Sequence, residues 1–432
     1  MKICMIGTGY VGLVSGACFA DLGNTVFCVD KDQSKIDMLN NRKIPIYEPG
    51  LAEIVNKNYL SKRLMFTTDT NLAIKSSDII FICVGTPTSK LNKSANLKFV
   101  FNVATEISKC INKFKIIVCK STVPITTGDK IEKIISKRNK KKLFEVVSNP
   151  EFLREGEAIR DFRFPDRIVV GVNNQKHLKK MEALYEPLIK KGAKFFSTTR
   201  RGAELIKYAA NAFLATKISY INEIANLCEN TGIDVEDVSL GIGLDKRIGD
   251  RFLRAGPSYG GSCFPKDTKA LTVTGDKFKT NLSIIKSVIK SNNIRKTLLT
   301  NKVKKILLNN LNNKKVAILG VTFKANTDDM RESLCNILIP YLNRNNAKVN
   351  YYDPTGEKTK FKKLKNVSFC NNIKMACNKT DLIIIHTEWD EFKSIDFKKV
   401  SSNKKIKIYD MRNLYSPKKM KKLGYAYYSV GR

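Results

Sequence analysis

The sequence predicts an α/β protein of two Rossmann-like, doubly wound domains joined by a long central helix. Three observations predict it. An apolar run at the N-terminus ends in a glycine turn and a helical pattern; the strand–turn–helix theme restarts near Val316; and residues 202–232 keep helical spacing between them. Apolar runs that alternate with helical patterns argue for a parallel sheet covered on both faces.

Lys2 to Ile6 reads as a strand, and Gly7-Thr8-Gly9-Tyr10-Val11-Gly12 follows at once. Leu13 to Leu22 reads as a helix ending near Gly23, and Thr25 to Val29 as a second strand closed by Asp30. Glycines in such a turn let the backbone approach a pyrophosphate, which the helix N-terminus attracts. An acid at the end of the second strand takes ribose hydroxyls and repels a 2′-phosphate, so Asp30 selects NAD over NADP. Further strands are expected at Asp78–Val84, Lys115–Cys119, Phe144–Val147, Arg167–Val172 and Lys194–Phe196. Loops at the C-terminal ends of such strands form the ligand crevice. Three carry unusual chemistry: Gly85-Thr86-Pro87-Thr88, Ser121-Thr122-Val123-Pro124, and Asn149-Pro150-Glu151-Phe152-Leu153-Arg154-Glu155.

In the long helix, Leu205, Ile206, Ala209, Ala212, Phe213, Thr216 and Tyr220 keep the period, and Gly232 suits its C-terminal cap. Its length fits a connector between domains or a dimer core. Lys207 and Asn211 lie one turn apart and project together. Strands Val316–Leu319, Val349–Tyr352, Leu382–Ile385 and Ile406–Tyr409 follow, and Asp353 echoes Asp30. This last part lacks the glycine fingerprint, so it is expected to have lost the dinucleotide and to suit a nucleotide sugar. The expected division is an NAD-binding domain at 1–200, a helical, dimer-forming part with the cysteine loop at 201–300, and a sugar-nucleotide domain at 301–432.

The segment Gly260-Gly261-Ser262-Cys263-Phe264-Pro265-Lys266-Asp267 carries the most specific chemistry. Proline suits the first turn of a helix, so Cys263 is placed beside a helix N-terminus, whose partial positive charge favours thiolate. Small residues next to it leave room for a substrate carbon, and Asp267 lies one turn on.

Composition narrows the functional classes. The chain has 432 residues, 43% hydrophobic and 27% charged, enough for a sizeable core and two or three domains. No apolar run reaches the ~18 residues needed to span a bilayer, and glycines stand where a signal peptide would carry its apolar core. The eleven cysteines show no metal-ligand spacing and only His177 and His386 could assist them, so no metal is expected, and the compartment is read as the cytoplasm. The net charge of +37 comes from lysines spread along the chain. Few aromatics interleave with them and no nucleic-acid motif is present, so the charge is read as compositional, with some benefit for attracting phosphorylated ligands.

Taken together, GTGYVG, GTPT, KSTVP, NPEFLREG, the helix around Lys207 and Asn211, FLRAGPSYGGSCFPKDTKAL, GVTFKANTDDMRES and HTEW closely resemble the UDP-glucose 6-dehydrogenase family. The resemblance covers nearly the whole chain, in the family's order. It implies an enzyme that oxidises UDP-glucose to UDP-glucuronate with two equivalents of NAD; GDP-mannose or a UDP-N-acetylhexosamine is the alternative substrate. By resemblance Cys263 is the nucleophile, forming a thiohemiacetal and then a thioester. Lys207 and Asp267 act as base with a water held by Asn211, and Glu151 and Thr122 serve the final hydrolysis. Cofactor contacts are implied for Gly7, Gly9, Tyr10, Val11, Gly12, Asp30, Lys35, Thr86, Thr122, Glu155, Lys266 and Arg331. Sugar-nucleotide contacts are implied for Phe152, Leu153, Arg154, Glu155, Lys207, Asn211, Arg254, Tyr259, Gly260, Phe323, Lys324 and Arg412. Arg247 resembles an arginine donated across a homodimer interface.

Overall fold

In the computed structural model, which describes residues 1–89, 94–403 and 405–432, the chain carries two parallel β-sheets. The first sheet comprises β1 (Lys2–Ile6), β2 (Thr25–Val29), β3 (Leu64–Thr67), β4 (Ile79–Ile82), β5 (Lys115–Cys119), β6 (Phe144–Ser148), β7 (Arg167–Gly171) and β8 (Lys194–Thr198). Its strand order is β3-β2-β1-β4-β5-β6-β7-β8. The second comprises β9 (Lys315–Leu319), β10 (Lys348–Tyr352), β11 (Val367–Phe369), β12 (Leu382–Ile385), β13 (Lys407–Asp410) and β14 (Ala426–Ser429), in the order β11-β10-β9-β12-β13-β14. Both contain the doubly wound order 3-2-1-4-5-6, with its topological switch between the first and fourth strands.

Alternation along each central strand explains the two-sided burial. In β1, Ile3 and Met5 enter one core cluster while Cys4 and Ile6 enter another. In β9, Val316 and Ile318 face one cluster and Ala317 and Leu319 the opposite one. A strand buried on both faces must be apolar wherever it is buried, and after their exposed first lysines both read that way. The first sheet departs from a uniform parallel ladder at one place, where β7 meets β6 antiparallel through Ser148 and Gly171. A Cβ on Gly171 would stand 2.7 Å from both the Ala203 Cβ and the Thr199 carbonyl oxygen, so this glycine lets the start of the long helix lie on β7.

The structure adds β3, β11 and β14 to the strands expected from sequence. The N-terminal helix runs Tyr10–Asp21, three residues earlier than its expected start at Leu13. The long helix spans Arg200–Thr231 and ends at Gly232, whose φ of 75° is the left-handed conformation of a C-terminal cap. Contacts divide the chain into two compact units within this helix: residues 1–210 with 269–280, and 211–268 with 281–432. Among the described residues no helix is long and apolar enough to cross a membrane.

Candidate active site

In the first unit the glycine turn opens directly from β1. Gly7 has a φ of 104°, and a Cβ there would sit 2.9 Å from the Cys83 carbonyl oxygen. A Cβ on Gly12 would stand 1.8 Å from the Gly7 carbonyl oxygen. Gly9 is different: nothing lies within 4 Å of where its Cβ would be. Two glycines are thus demanded by internal packing, while the third keeps a bare backbone facing open space, as a pyrophosphate requires. Asp30 accepts from the Thr8 amide (2.9 Å) and hydroxyl (2.8 Å) through one oxygen and from the Asp32 amide (3.1 Å) through the other. Burial opposes its charge, yet these bonds and Lys35, 4.0 Å away, hold its carboxyl below the usual range. An ionised, partly exposed acid at this place fits the ribose of NAD, so the residues present fit the cofactor.

Beyond the neighbouring strands of the first sheet lie the reactive groups of this unit. Thr86 donates through its hydroxyl to the Thr122 carbonyl at 2.9 Å, linking the loops that follow β4 and β5. Lys207 and Glu151, both buried, form an ion pair at 3.3 Å. The Phe152 ring lies 5.1 Å from the Lys207 ammonium and 3.8 Å from the Arg167 guanidinium, a cation on each contact. The other Glu151 oxygen accepts from the Leu153 amide at 2.5 Å. Arg154 is bound to Asp161 and Glu157.

Three buried ionisable groups here were given no role from the sequence, although Lys120 opens the KSTVP stretch. Lys120 donates to Asn149 (3.3 Å) and Tyr185 (3.4 Å), and burial brings its pKa down to about 8. Glu204 sits on the long helix three residues before Lys207 and accepts from the amides of Thr126 and Gly128, each at 2.7 Å. Thr126 has a φ of 77°, costly for a β-branched residue, and its bond to Glu204 helps to hold it. Glu48 joins the turn at Tyr10 to the backbone at Gly156 and Ala158.

Burial raises the Glu204 pKa from 4.5 to about 7, against the hydrogen bonds that favour its anion. A raised folded-state value means that the stability due to the protonated form is full below about pH 4.5 and lost as pH climbs through 7. Glu204→Gln mimics the protonated acid and does not titrate. The stability gap between wild type and this variant therefore shifts against wild type by ~3 kcal/mol across that window. Thermal unfolding of both proteins from pH 4.5 to 8 checks this; parallel Tm profiles would contradict it.

The second unit carries the cysteine. A helix spans Phe264–Lys277, and the Asp267 amide donates to the Cys263 carbonyl at 2.8 Å, which makes Cys263 its N-cap residue as the sequence predicts. The Ser262 hydroxyl lies 3.5 Å from its sulfur. Asp267 is fully buried and accepts from the Asn211 amide group at 2.6 Å and from Lys266. One expectation is corrected. The glycine pair before Cys263 leaves room for Phe323 rather than for a substrate carbon: a Cβ on Gly261 would meet the ring at 2.7 Å, and one on Gly260 the Phe323 Cβ at 3.0 Å.

The loop before the cysteine is fixed by polar side chains that sequence spacing did not bring out. Asn292 bonds both the amide (2.9 Å) and the carbonyl (3.1 Å) of Tyr259. Asn222 accepts from the Gly256 amide at 2.9 Å, and buried Arg295 donates to the Gly256 carbonyl at 3.1 and 3.2 Å. Asn292 and Arg295 lie on the buried face of the helix Ser283–Ile306. Nearby, Arg412 donates to the carbonyls of His386 (2.8 Å) and Phe323 (2.6 Å) and pairs with Glu388 (2.8 Å). Lys324 lies 5.8 Å from the Phe323 ring.

At the second switch point, Asp353 repeats the wiring of Asp30. It accepts from Val321 and Thr322 through one oxygen and from Thr355 and Gly356 through the other, and is only 2% exposed. A Cβ on Gly320 would stand 2.3 Å from that of Thr387. The carbonyl of Arg331 accepts from the Gly261 amide at 2.8 Å, beside the cysteine loop, while its guanidinium pairs with Asp329; Arg247 is exposed and paired with Asp245, and Arg254 is exposed. Among the described residues no group of three His, Cys, Asp or Glu could hold a metal ion.

Comparison with known proteins matches the chain in three parts to the UDP-glucose/GDP-mannose dehydrogenase family. Its NAD binding domain matches residues 1–189, its central domain 201–294 and its UDP binding domain 317–417. A UDP-glucose 6-dehydrogenase of Rhizobium meliloti is 47% identical, over 100% of both chains. One of Rickettsia typhi is 45% identical over 100% of this chain and 99% of its own. A solved UDP-glucose dehydrogenase from Pyrobaculum islandicum superposes with a TM-score of 0.90 at 32% identity, over 99% of this chain and 96% of that one.

Proposed function

The chain belongs to the UDP-glucose/GDP-mannose dehydrogenase family, and from that premise we propose that it oxidises UDP-glucose to UDP-glucuronate by a four-electron route through Cys263. The observation that carries the chemistry is Cys263 at the N-cap of its helix, with Asp267 and Asn211 paired behind it. The full-length likeness to UDP-glucose 6-dehydrogenases supports the sugar. NAD is the cofactor, and Gly7, Gly9, Tyr10, Val11, Gly12, Asp30, Lys35, Thr86, Thr122 and Glu155 are the residues we assign to it in the first unit. When bound, it takes up the hydride from C6 in each of the two oxidations.

The residues then divide the remaining work. The C6 hydroxyl must lose its proton as hydride leaves, and we assign that proton to Lys207 and Asp267, with Asn211 holding a water. The Cys263 thiolate adds to the aldehyde carbon, forming a C–S bond and a thiohemiacetal whose oxyanion cationic Lys207 and Asn211 stabilise. Loss of the second hydride gives a thioester. Water, positioned by Thr122 and deprotonated by Glu151, adds to it; the C–S bond breaks and the thiolate returns. For the sugar nucleotide we assign Phe152 to Glu155, Arg254, Tyr259, Gly260, Phe323, Lys324 and Arg412, because two phosphates call for guanidinium and ammonium groups. The division at 1–200, 201–300 and 301–432 is proposed as cofactor, cysteine-loop and sugar-nucleotide parts.

A homodimer is supported by the long helix. Phe213, Tyr220 and Leu227, seven residues apart, are 65%, 53% and 58% exposed, and Leu240 and Leu244 are exposed as well. A stripe of that kind is the usual site of a second copy. Arg247, itself exposed, would be offered across such an interface. Eleven cysteines without a disulfide fit the reducing cytoplasm.

A substrate panel tests the sugar. UDP-glucose is expected to give a kcat/KM at least about a hundredfold above GDP-mannose or UDP-N-acetylmannosamine, the difference a pocket built for particular polar groups can make. Preference for either of the others would overturn the sugar and leave the cysteine chemistry in place.

A further inference from the structure

Residues 150–157, which carry the Phe152–Glu155 stretch, form neither helix nor strand. Side chains hold this segment instead. Glu151 binds the Leu153 amide and Asp161 the Arg154 amide, both within or next to the segment itself. Glu48 comes from elsewhere in the chain, 108 residues before Gly156. It is 7% exposed, and its oxygens accept from the amides of Gly156 at 2.6 Å and Ala158 at 2.8 Å. The Tyr10 hydroxyl also donates to Glu48, accepts from the Gly156 amide at 2.9 Å, and lies 3.4 Å from the Arg154 carbonyl. Tyr10 belongs to the glycine turn and opens the first helix. One buried carboxylate therefore connects the dinucleotide turn to a segment that has no ladder of its own.

A segment without regular structure sits at the low-stability end of a fold and is readily ordered by a ligand. Hydrogen bonds to an ionised acceptor in a low-dielectric setting are stronger than neutral ones. We propose that Glu48 is a positioning residue that couples the two binding segments, so that cofactor on the glycine turn raises affinity for the sugar nucleotide at Phe152–Glu155. The proposal rests on the function given above in so far as that segment binds UDP-glucose. Coupling of this kind is reciprocal, and values of about 5- to 150-fold are usual.

The test titrates UDP-glucose into the full-length protein with and without saturating NADH, which cannot oxidise the sugar. The wild type is expected to bind UDP-glucose about tenfold more tightly with NADH present. Glu48→Gln places an amide N–H either against the Gly156 amide and the tyrosine hydroxyl or against the Ala158 amide, and should bring the ratio to within about twofold of one. Tyr10→Phe, which removes the hydroxyl but no charge, should lower it too, and the two changes together should do no more than Glu48→Gln alone. An undiminished ratio in Glu48→Gln, no coupling in the wild type, or additive losses would each overturn the proposal. Amide exchange separates this from the choice of sugar: NADH alone should protect residues 152–158 in the wild type and not in Glu48→Gln. If UDP-glucose fails to bind but that protection is seen, the sugar is wrong and Glu48 stands. If Glu48→Gln fails to fold, Tyr10→Phe decides by the same two readouts.

Discussion

Replacing Cys263 by serine is expected to lower NADH formation from UDP-glucose by roughly a thousandfold or more. The change keeps size, and the Asp267 amide still has the carbonyl of residue 263 to bind at 2.8 Å, so the helix N-terminus persists. What it removes is the thiol: a helix N-terminus favours the thiolate, and a hydroxyl does not ionise in its place. NAD affinity should be unchanged, since the fingerprint of Gly7 to Gly12 and Asp30 lies in the other unit. Steady-state rates with a binding isotherm for NAD check both statements. Near-wild-type turnover would place the reaction in a class that needs no nucleophile, such as a simple two-electron alcohol dehydrogenase.

Replacing Lys207 by alanine should have the second largest effect, and on two quantities. Lys207 and Glu151 are 4% and 5% exposed in their side chains and 3.3 Å apart. Removing one member of a buried pair leaves the other charge uncompensated, at a cost of about 3–5 kcal/mol. The Phe152 ring also loses one of its two cations. Activity should fall by roughly 10²–10⁴-fold, the usual contribution of a positioned acid or base. Adding Glu151→Gln should restore part of the stability and none of the turnover. Urea unfolding and kcat/KM on the wild type and the two variants separate the two effects; equal recovery of both would mean that the lysine serves only to hold the fold.

What the sequence could show was whatever its chemistry places close along the chain. The N-terminal strand, turn, helix and acid are local, and so is the N-cap position of Cys263, set by Pro265 two residues on. The long helix was legible to within two residues at its start because its spacing is unbroken. Of the four edge strands β8 was legible, and β3, β11 and β14 were not. β3 is four residues, β11 three, and β14 exposes Ala426 and Tyr428, so none offers a sustained apolar run. The glycines at 260 and 261 were read as space for a ligand, yet they are small because a phenylalanine some sixty residues later packs on them. Glu48, Glu204 and Arg295 went unseen for the same reason. Their partners lie far along the chain, as with Glu204 and Gly128, 76 residues apart. Such residues are found by asking which buried charge each fold element must satisfy, a question that only the structure can answer.

The central claim is that one thiol retains the sugar through both oxidations. It is tested most directly by counting NADH per UDP-glucose at limiting sugar and excess NAD. The account predicts two NADH for each sugar and a UDP-sugar acid as product. One NADH per sugar, with free aldehyde in solution, would mean that Cys263 does not hold the intermediate and would contradict it.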